Sequence, residues 1–211
     1  MPAFAAATAF MAQLTPSISP NRTEAGVDEA GRGCLAGPVV AAAVVLPKGF
    51  APAELTDSKQ LKRPVRLRLR AEILAHATAW GLGMRSPAAI DRENILQASI
   101  SAMHEALDQL PPPVEHIAVD GKFFRPYPGI QHTAVIKGDA KYLHIAAASV
   151  LAKTFRDEVM QLLAEDYPGY GWHTNVGYPT RAHREAIARL GVTRWHRRSF
   201  KLLPTPELFN P

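Results

Sequence analysis

The chain mixes unbroken apolar runs with stretches where apolar positions recur every three or four residues. Val39–Leu46 is continuously apolar and closed by Pro47, the pattern of a strand buried on both faces. Ahead of it, Ala25-Gly26-Val27-Asp28 predicts a short strand. Gly31, Gly33 and Gly37 punctuate the connection, so the two predict a hairpin at the centre of a sheet. Trp80–Met84, His116–Val119 and His132–Ile136 predict three further strands. His116–Val119 runs into Asp120-Gly121, and His132–Ile136 into a Lys137-Gly138-Asp139 turn. Helical spacing follows Pro64, with Leu67, Ile73, Leu74 and Ala77 expected inward. Ser86-Pro87 reads as a helix cap and first residue, with Ile90, Ile100, Met103 and Leu107 at helical spacing until Pro111-Pro112-Pro113. Tyr142–Glu165 is the longest helical pattern, with Ile145, Leu151, Phe155, Val159 and Leu162 available for packing. Strands joined by both hairpins and helices predict an α/β fold, a mixed β-sheet flanked by helices.

The text changes after Pro168, where Tyr170, Trp172, Tyr178 and Trp195 are interleaved with histidines and arginines. This predicts a small C-terminal helical subdomain. The expected organisation is a loose tail over 1–22, a core over 23–165 and a basic helical part of the same domain over 166–211. Trp172 and Trp195 are expected to anchor that part, and His173, His183 and His196 to be surface or structural.

With 211 residues, 47% hydrophobic and 20% charged, the chain fits one globular domain. Disordered, collagen-like and coiled-coil classes are excluded for its bulk. No apolar run approaches the ~18–20 residues of a membrane span. Phe4–Met11 has no positive charge before it, against a secretory signal. The single Cys34 forms no internal disulfide, so a reducing, cytoplasmic setting is expected, with Cys34 a small packed residue. Nothing in the sequence demands more than a monomer.

Net charge is +5, but its distribution says more. Lys59–Arg70 and Arg181–Lys201 each carry +6, leaving −7 for the rest. Two basic segments with acids elsewhere suit a polyanionic partner and a site that needs carboxylates. A solvated helix face is the alternative for either segment.

Asp28-Glu29 and Asp120 end predicted strands, and Asp157 lies on the long helix. Strand ends converge at one edge of an α/β sheet, where ligands usually bind. Two carboxylates ~4 Å apart at an effective dielectric near 20 repel by about 4 kcal/mol. Several such pairs rival the whole stability of a domain, ~5–15 kcal/mol. Such a cluster needs protonation or cations. Oxygen ligands without Cys or a paired-His motif favour Mg²⁺ or Mn²⁺ over zinc. Two such ions ~3.5–4 Å apart suit phosphodiester cleavage. Gly31-x-Gly33-x-x-x-Gly37 lacks both the dinucleotide spacing and the Lys-Ser/Thr of a phosphate loop, and strand rather than helix follows it.

Asp28-Glu29-Ala30-Gly31-Arg32-Gly33 resembles the signature of ribonuclease HII. The resemblance continues in order through Gly37–Ala43, Asp57–Leu61, Val119-Asp120-Gly121, Lys137-Gly138-Asp139, Ala147–Lys153 with Arg156-Asp157, Gly177–Thr180 with His183, and His196–Phe200. It implies an RNase H-like fold and a metal-dependent endonuclease with Mg²⁺ or Mn²⁺, two ions with substrate bound. The implied substrates are the RNA strand of RNA–DNA hybrids and single ribonucleotides embedded in duplex DNA. Cleavage on their 5′ side would leave 3′-hydroxyl and 5′-phosphate ends, as ribonucleotide excision repair requires. Asp28, Glu29, Asp120 and Asp157 are the implied catalytic and metal-binding acids. Gly31-Arg32-Gly33 is implied to contact the 2′-OH, which separates RNA from DNA, and Tyr178 to sense the junction with the following DNA. Lys59, Lys137 and Lys153 are candidates for phosphate contacts. Where many relatives carry His-Lys before Gly177, this chain has Asn175-Val176, one positive charge fewer.

Three other readings compete. Ribonuclease HIII carries an extra N-terminal domain, whereas 27 residues precede Asp28 here. A non-catalytic binding module requires degraded acids, and all four are present. A junction resolvase or transposase core does not account for the Gly-Arg-Gly and tyrosine blocks.

Overall fold

The computed structural model describes residues 14–203. Its sheet has five strands: β1 (Glu24–Ala30), β2 (Val39–Val45), β3 (Ala79–Arg85), β4 (His116–Asp120) and β5 (Gln131–Val135). The order is β3-β2-β1-β4-β5. β1, β2 and β3 pair antiparallel, whereas β4 runs parallel to β1 and β5 parallel to β4. The sheet is therefore mixed, with β1 at its centre.

Among the described residues six α-helices accompany it: α1 (Arg63–His76), α2 (Pro87–Glu93), α3 (Ile95–Leu107), α4 (Leu143–Asp166), α5 (Trp172–Asn175) and α6 (Arg181–Leu190). The unbroken apolar run of β2 follows from burial on both faces. Ala42, Val44 and Leu46 pack with α1 and α4, while Ala41, Ala43 and Val45 pack with α3. α4 meets the sheet through Ala146, Ala147, Ala148 and Ala152, all fully buried. Small side chains let its axis lie close to β1, which carries Asp28.

Two inward predictions change. Leu67 is exposed and Leu69 takes its place, because α1 turns Leu69 and Ile73 onto one face at an i, i+4 spacing. On α4, Leu162 is exposed and Leu163 is buried. The stretch read as one helix after Ser86 is two. Asn94 has φ 67° and its side chain accepts from the Leu96 and Gln97 amides, so it caps α3.

The predicted tail has a packed portion. Leu14 is buried, Thr15 pairs with Tyr142, and the Ile18 and Ser19 amides donate to the buried Glu24 carboxylate. Residues 1–13 lie outside the described residues. The C-terminal part has its own apolar cluster around Trp172, but Leu35, Ala36, Met160 and Leu163 from the core complete it. Asp91 of α2 accepts from Arg198, Ser199 and the Ser199 hydroxyl, tying the C-terminal block to the core. No described helix is long and apolar enough to cross a membrane.

Candidate active site

The carboxyl ends of β1 and β4 are adjacent, so Asp28, Glu29 and Asp120 face one cleft. Gly31-Arg32-Gly33, Ser58, Lys59, Ser149, Lys153 and Tyr178 line it with them. Asp28 is 2% exposed, and its Oδ1 accepts from the Glu29 amide at 2.7 Å. Burial raises its pKa well above the usual carboxylate value, and the Glu29, Asp120 and Asp139 charges raise it further; the Ser149 hydroxyl opposes them. Burial also raises Glu29, against the pull of Arg32, whose guanidinium lies 3.2 Å from Oε1. The other oxygen, Glu29 Oε2, is buried and has no hydrogen-bond partner.

Asp139 is an acid the sequence reading left out of the site. The amide of the preceding Gly138 donates to Asp120 Oδ1 at 2.7 Å, which draws the Asp139 turn against Asp120. Asp139 is 3% exposed; burial and Asp120 raise its pKa, while Lys59 lowers it. Its signal was present in the sequence. It lies four residues after β5, just past the carboxyl end of a strand neighbouring the one that Asp120 ends, and Lys137-Gly138-Asp139 belongs to the resemblance.

Asp157 is not brought into this group. Its carboxylate accepts from Lys153 at 2.7 Å and lies 3.9 Å from Arg66. Ser149, Lys153 and Asp157 share one stripe of α4 at four-residue intervals. At 1.5 Å per residue, Asp157 stands ~12 Å along the axis from Ser149. Asp157 is not among the residues that line the cleft, and its carboxylate is engaged by Lys153 and Arg66.

Lys59 Nζ lies 3.3 Å from Asp139 Oδ2 and 3.9 Å from Asp57. Burial lowers its pKa, but Asp139, Asp28 and Asp57 outweigh that and raise it. Lys137 is exposed on the Gly138 turn.

Among the described residues, no three carboxylates or imidazoles form a ready-made metal cage. The donor set nevertheless fits a hard cation. Mg²⁺ is typically held by one or two carboxylates with waters and substrate phosphates. Buried acids that raise one another's pKa, and an orphaned carboxylate oxygen, suit such a partly formed site.

Beside the acids, two buried arginines hold the loop from Gly31 to Pro38. Arg156 donates to the carbonyls of Pro38, Ala36 and Val176 at 2.9–3.0 Å. Arg197 donates to Gly37 and Arg32. Of the signature glycines, Gly31 is required by the fold: its φ is +98°, and a Cβ there would stand 2.0 Å from Arg156 Nε. A Cβ on Gly33 would meet nothing within 4 Å, so the fold alone does not demand it.

Tyr178 is 38% exposed, with Lys153 Nζ 5.3 Å from its ring centroid. The departure Asn175-Val176 has a local role. The Asn175 side chain accepts from Gly177 N and donates to the Tyr170 carbonyl, both at 2.8 Å, fixing the turn before Tyr178. Trp172, His183 and His196 are buried beneath it, and His173 is exposed. Cys34 is buried and free.

The basic segments are partly structural. Arg197 is fully buried, Arg66 donates to the Ser58 and Leu61 carbonyls, and Arg70 pairs with Glu158. Lys62, Arg63, Arg189, Arg194, Arg198 and Lys201 remain exposed.

A family model described as ribonuclease HII matches residues 25–203. The ribonuclease HII of Parabacteroides distasonis is 56% identical over 90% of this chain and 96% of its own length. That of Bacteroides thetaiotaomicron is 55% identical over 92% and 98%. Among solved structures, ribonuclease H2 from Pyrococcus horikoshii superposes with a TM-score of 0.72 at 26% identity, covering 85% of this chain and 94% of that one. The RNase HII in the PCNA complex from Archaeoglobus fulgidus gives 0.69 at 26%, covering 87% and 97%. Identity above one half across nine-tenths of the chain, with the fold and signature blocks in place, makes this protein a member of the ribonuclease HII family, enzymes that cleave RNA in RNA–DNA hybrids.

Proposed function

We propose that this chain also cuts duplex DNA on the 5′ side of a single embedded ribonucleotide, with Asp28, Glu29, Asp120 and Asp139 as its working acids. The observation that carries the proposal is one cleft lined by Asp28, Glu29 and Asp120, by the Gly31-Arg32-Gly33 backbone and by Tyr178. Chemistry at phosphorus and recognition of a sugar are thereby neighbours.

Glu29 Oε2 and the carboxylates of Asp28, Asp120 and Asp139 would hold Mg²⁺ or Mn²⁺. Such a cation supplies charge stabilisation at the scissile phosphate and lowers the pKa of water. The chain's residues do the rest. The backbone at Gly33, unshielded by a side chain, lets a ribose 2′-OH come close, and a backbone reader is indifferent to the base. The Tyr178 ring offers a flat face for the next sugar or base. Lys59 and Lys153 lie where phosphates on either side would replace their carboxylate partners. In-line attack of water on phosphorus breaks the bond to the 3′-oxygen. The upstream strand then ends in a 3′-hydroxyl and the ribonucleotide carries the 5′-phosphate.

The test is a labelled duplex with one ribonucleotide, its all-DNA counterpart and a long hybrid, each with Mg²⁺, Mn²⁺ or EDTA. One cut 5′ to the ribonucleotide, abolished by EDTA and absent from all-DNA, is expected. Cutting of the all-DNA duplex, or tight binding with no cut, would overturn the reading. Tyr178→Ala should reduce single-ribonucleotide cleavage more than hybrid cleavage; equal losses would remove the junction role.

A further inference from the structure

We infer that His183 is a positioning residue for Tyr178, and that Trp172 sets the tautomer in which it does so. This rests on the junction-sensing role proposed above for Tyr178 and names how that ring is held.

The geometry leaves one proton arrangement. The indole N–H of Trp172 can only donate, and it points at His183 Nε2 from 2.9 Å. The carbonyl of Tyr178 can only accept, and it lies 2.9 Å from His183 Nδ1. Both contacts hold together only when Nε2 is bare and Nδ1 carries the hydrogen. Trp172 and His183 are fully buried, so no water competes for either nitrogen. Burial also pushes the imidazole pKa down, which keeps the ring neutral.

The held carbonyl is the anchor of the sensing residue. Tyr178 donates its amide to Asn175 at 2.9 Å, and its carbonyl also accepts from the Thr180 amide at 2.8 Å. Thr180 in turn caps α6 by accepting from the His183 amide. The main chain of Tyr178 is therefore fixed from below by α6, while its ring projects into the cleft. The imidazole is the only side chain donating to that carbonyl among the described residues. Its loss would free the backbone to rotate by a few degrees, and a ring at the end of that lever would lose its stacking position. Hydrolysis at the acids would be spared.

Two isosteres separate this role from space-filling. His183→Asn keeps a donor near the Nδ1 position but loses the acceptor for Trp172. His183→Gln keeps an acceptor near Nε2 but loses the donor to Tyr178, although its volume is closer to that of histidine. His183→Gln and His183→Leu should lower kcat/KM on the single-ribonucleotide duplex, relative to the long hybrid, by about three- to tenfold, the scale of one backbone hydrogen bond. His183→Asn should stay near the wild-type ratio. Thermal unfolding of each variant accompanies the kinetics. Equal ratios for Asn and Gln, or a better ratio for Gln, would overturn the inference. Unchanged ratios in all three variants, with Tyr178→Ala still selective, would also overturn it. A non-selective Tyr178→Ala would instead remove the underlying reading. The wild-type protein gives a test independent of folding in the variants: long-range ¹H–¹⁵N spectra should show His183 protonated on Nδ1 alone. An Nε2–H or doubly protonated ring would contradict the inference.

Discussion

Two clusters of like charge lie side by side in this molecule, and they are treated differently. At the strand ends, burial and the Asp120 charge raise the pKa of Asp28, Glu29 and Asp139, with Arg32 and Lys59 as partial partners. Next to them, Arg156 and Arg197 are fully buried and spend their donors on backbone carbonyls, not on carboxylates. The fold could have neutralised one cluster with the other. It uses the arginines to lock the Gly31–Pro38 loop to the Tyr178 segment and leaves the acids under-compensated. A buried charge that is paired internally is spent; one that is not remains available to an external cation.

The sharpest way to break this comparison is to remove acids one at a time. Asp120→Asn and Asp139→Asn should each cut cleavage by about 10²–10³-fold, the scale for deleting one preorganised electrostatic contact. Asp157→Asn should lose far less, because its carboxylate answers Lys153 and Arg66. Steady-state rates on the single-ribonucleotide duplex decide it; equal losses at Asp139 and Asp157 would merge the groups this account separates.

Next in size is the arginine clamp. Arg156→Met strands the buried carbonyls of Ala36 and Pro38 and the part-buried one of Val176, each buried group costing ~1–3 kcal/mol. The unfolding midpoint should fall by about 10 °C or more. Arg156→Lys keeps the charge but lacks the fork that reaches three acceptors, so it should recover only part of the loss. Calorimetry of both variants checks this, and an unshifted midpoint would contradict the clamp.

The smallest effect is a pH dependence beneath Tyr178. Burial, with His183 nearby, lowers His196 from 6.5 to about 4. Burial lowers His183 as well. Between pH 6.5 and about 4 the unfolded chain therefore binds protons that the folded chain refuses. Stability from this source is complete above pH 6.5 and lost as pH falls toward 4. The raised acids contribute with the opposite sign, so the histidine part is read from the stability difference between wild type and His196→Phe in chemical unfolding at stepped pH. That difference should shrink as pH falls from 6.5 toward 4; a difference independent of pH over this range would contradict the buried neutral His196.

Much of this arrangement was legible in the sequence. The β2 run, the strand ending in Asp28 and the strand ending in Asp120 were readable because burial on two faces and strand-end acids leave local signatures. The Asn94 break was not readable, since its capping geometry depends on a left-handed residue inside an otherwise periodic stretch. Asp139 was missed and Asp157 favoured for one reason. Sequence shows that a residue is on a helix or after a strand, but not how far along the element the cleft extends. The clamp was hidden for a similar reason. Arg197 reads as a member of the basic Arg181–Lys201 segment, and Arg156 as one residue of the long helix, until the packing shows both buried among carbonyls. Asn175-Val176 read as a lost positive charge, whereas Asn175 makes the turn before Tyr178.

The most direct test of the central claim is Asp28→Asn, measured for thermal stability in EDTA and for cleavage of the single-ribonucleotide duplex in Mg²⁺. Asn retains the oxygen that accepts from Glu29 N while removing a charge whose ionised form costs stability at neutral pH. The account predicts a higher unfolding midpoint, by ~2–4 °C for each kcal/mol of repulsion relieved, together with loss of cleavage. A variant that unfolds at a lower temperature, or one that still cuts at the wild-type rate, would contradict it.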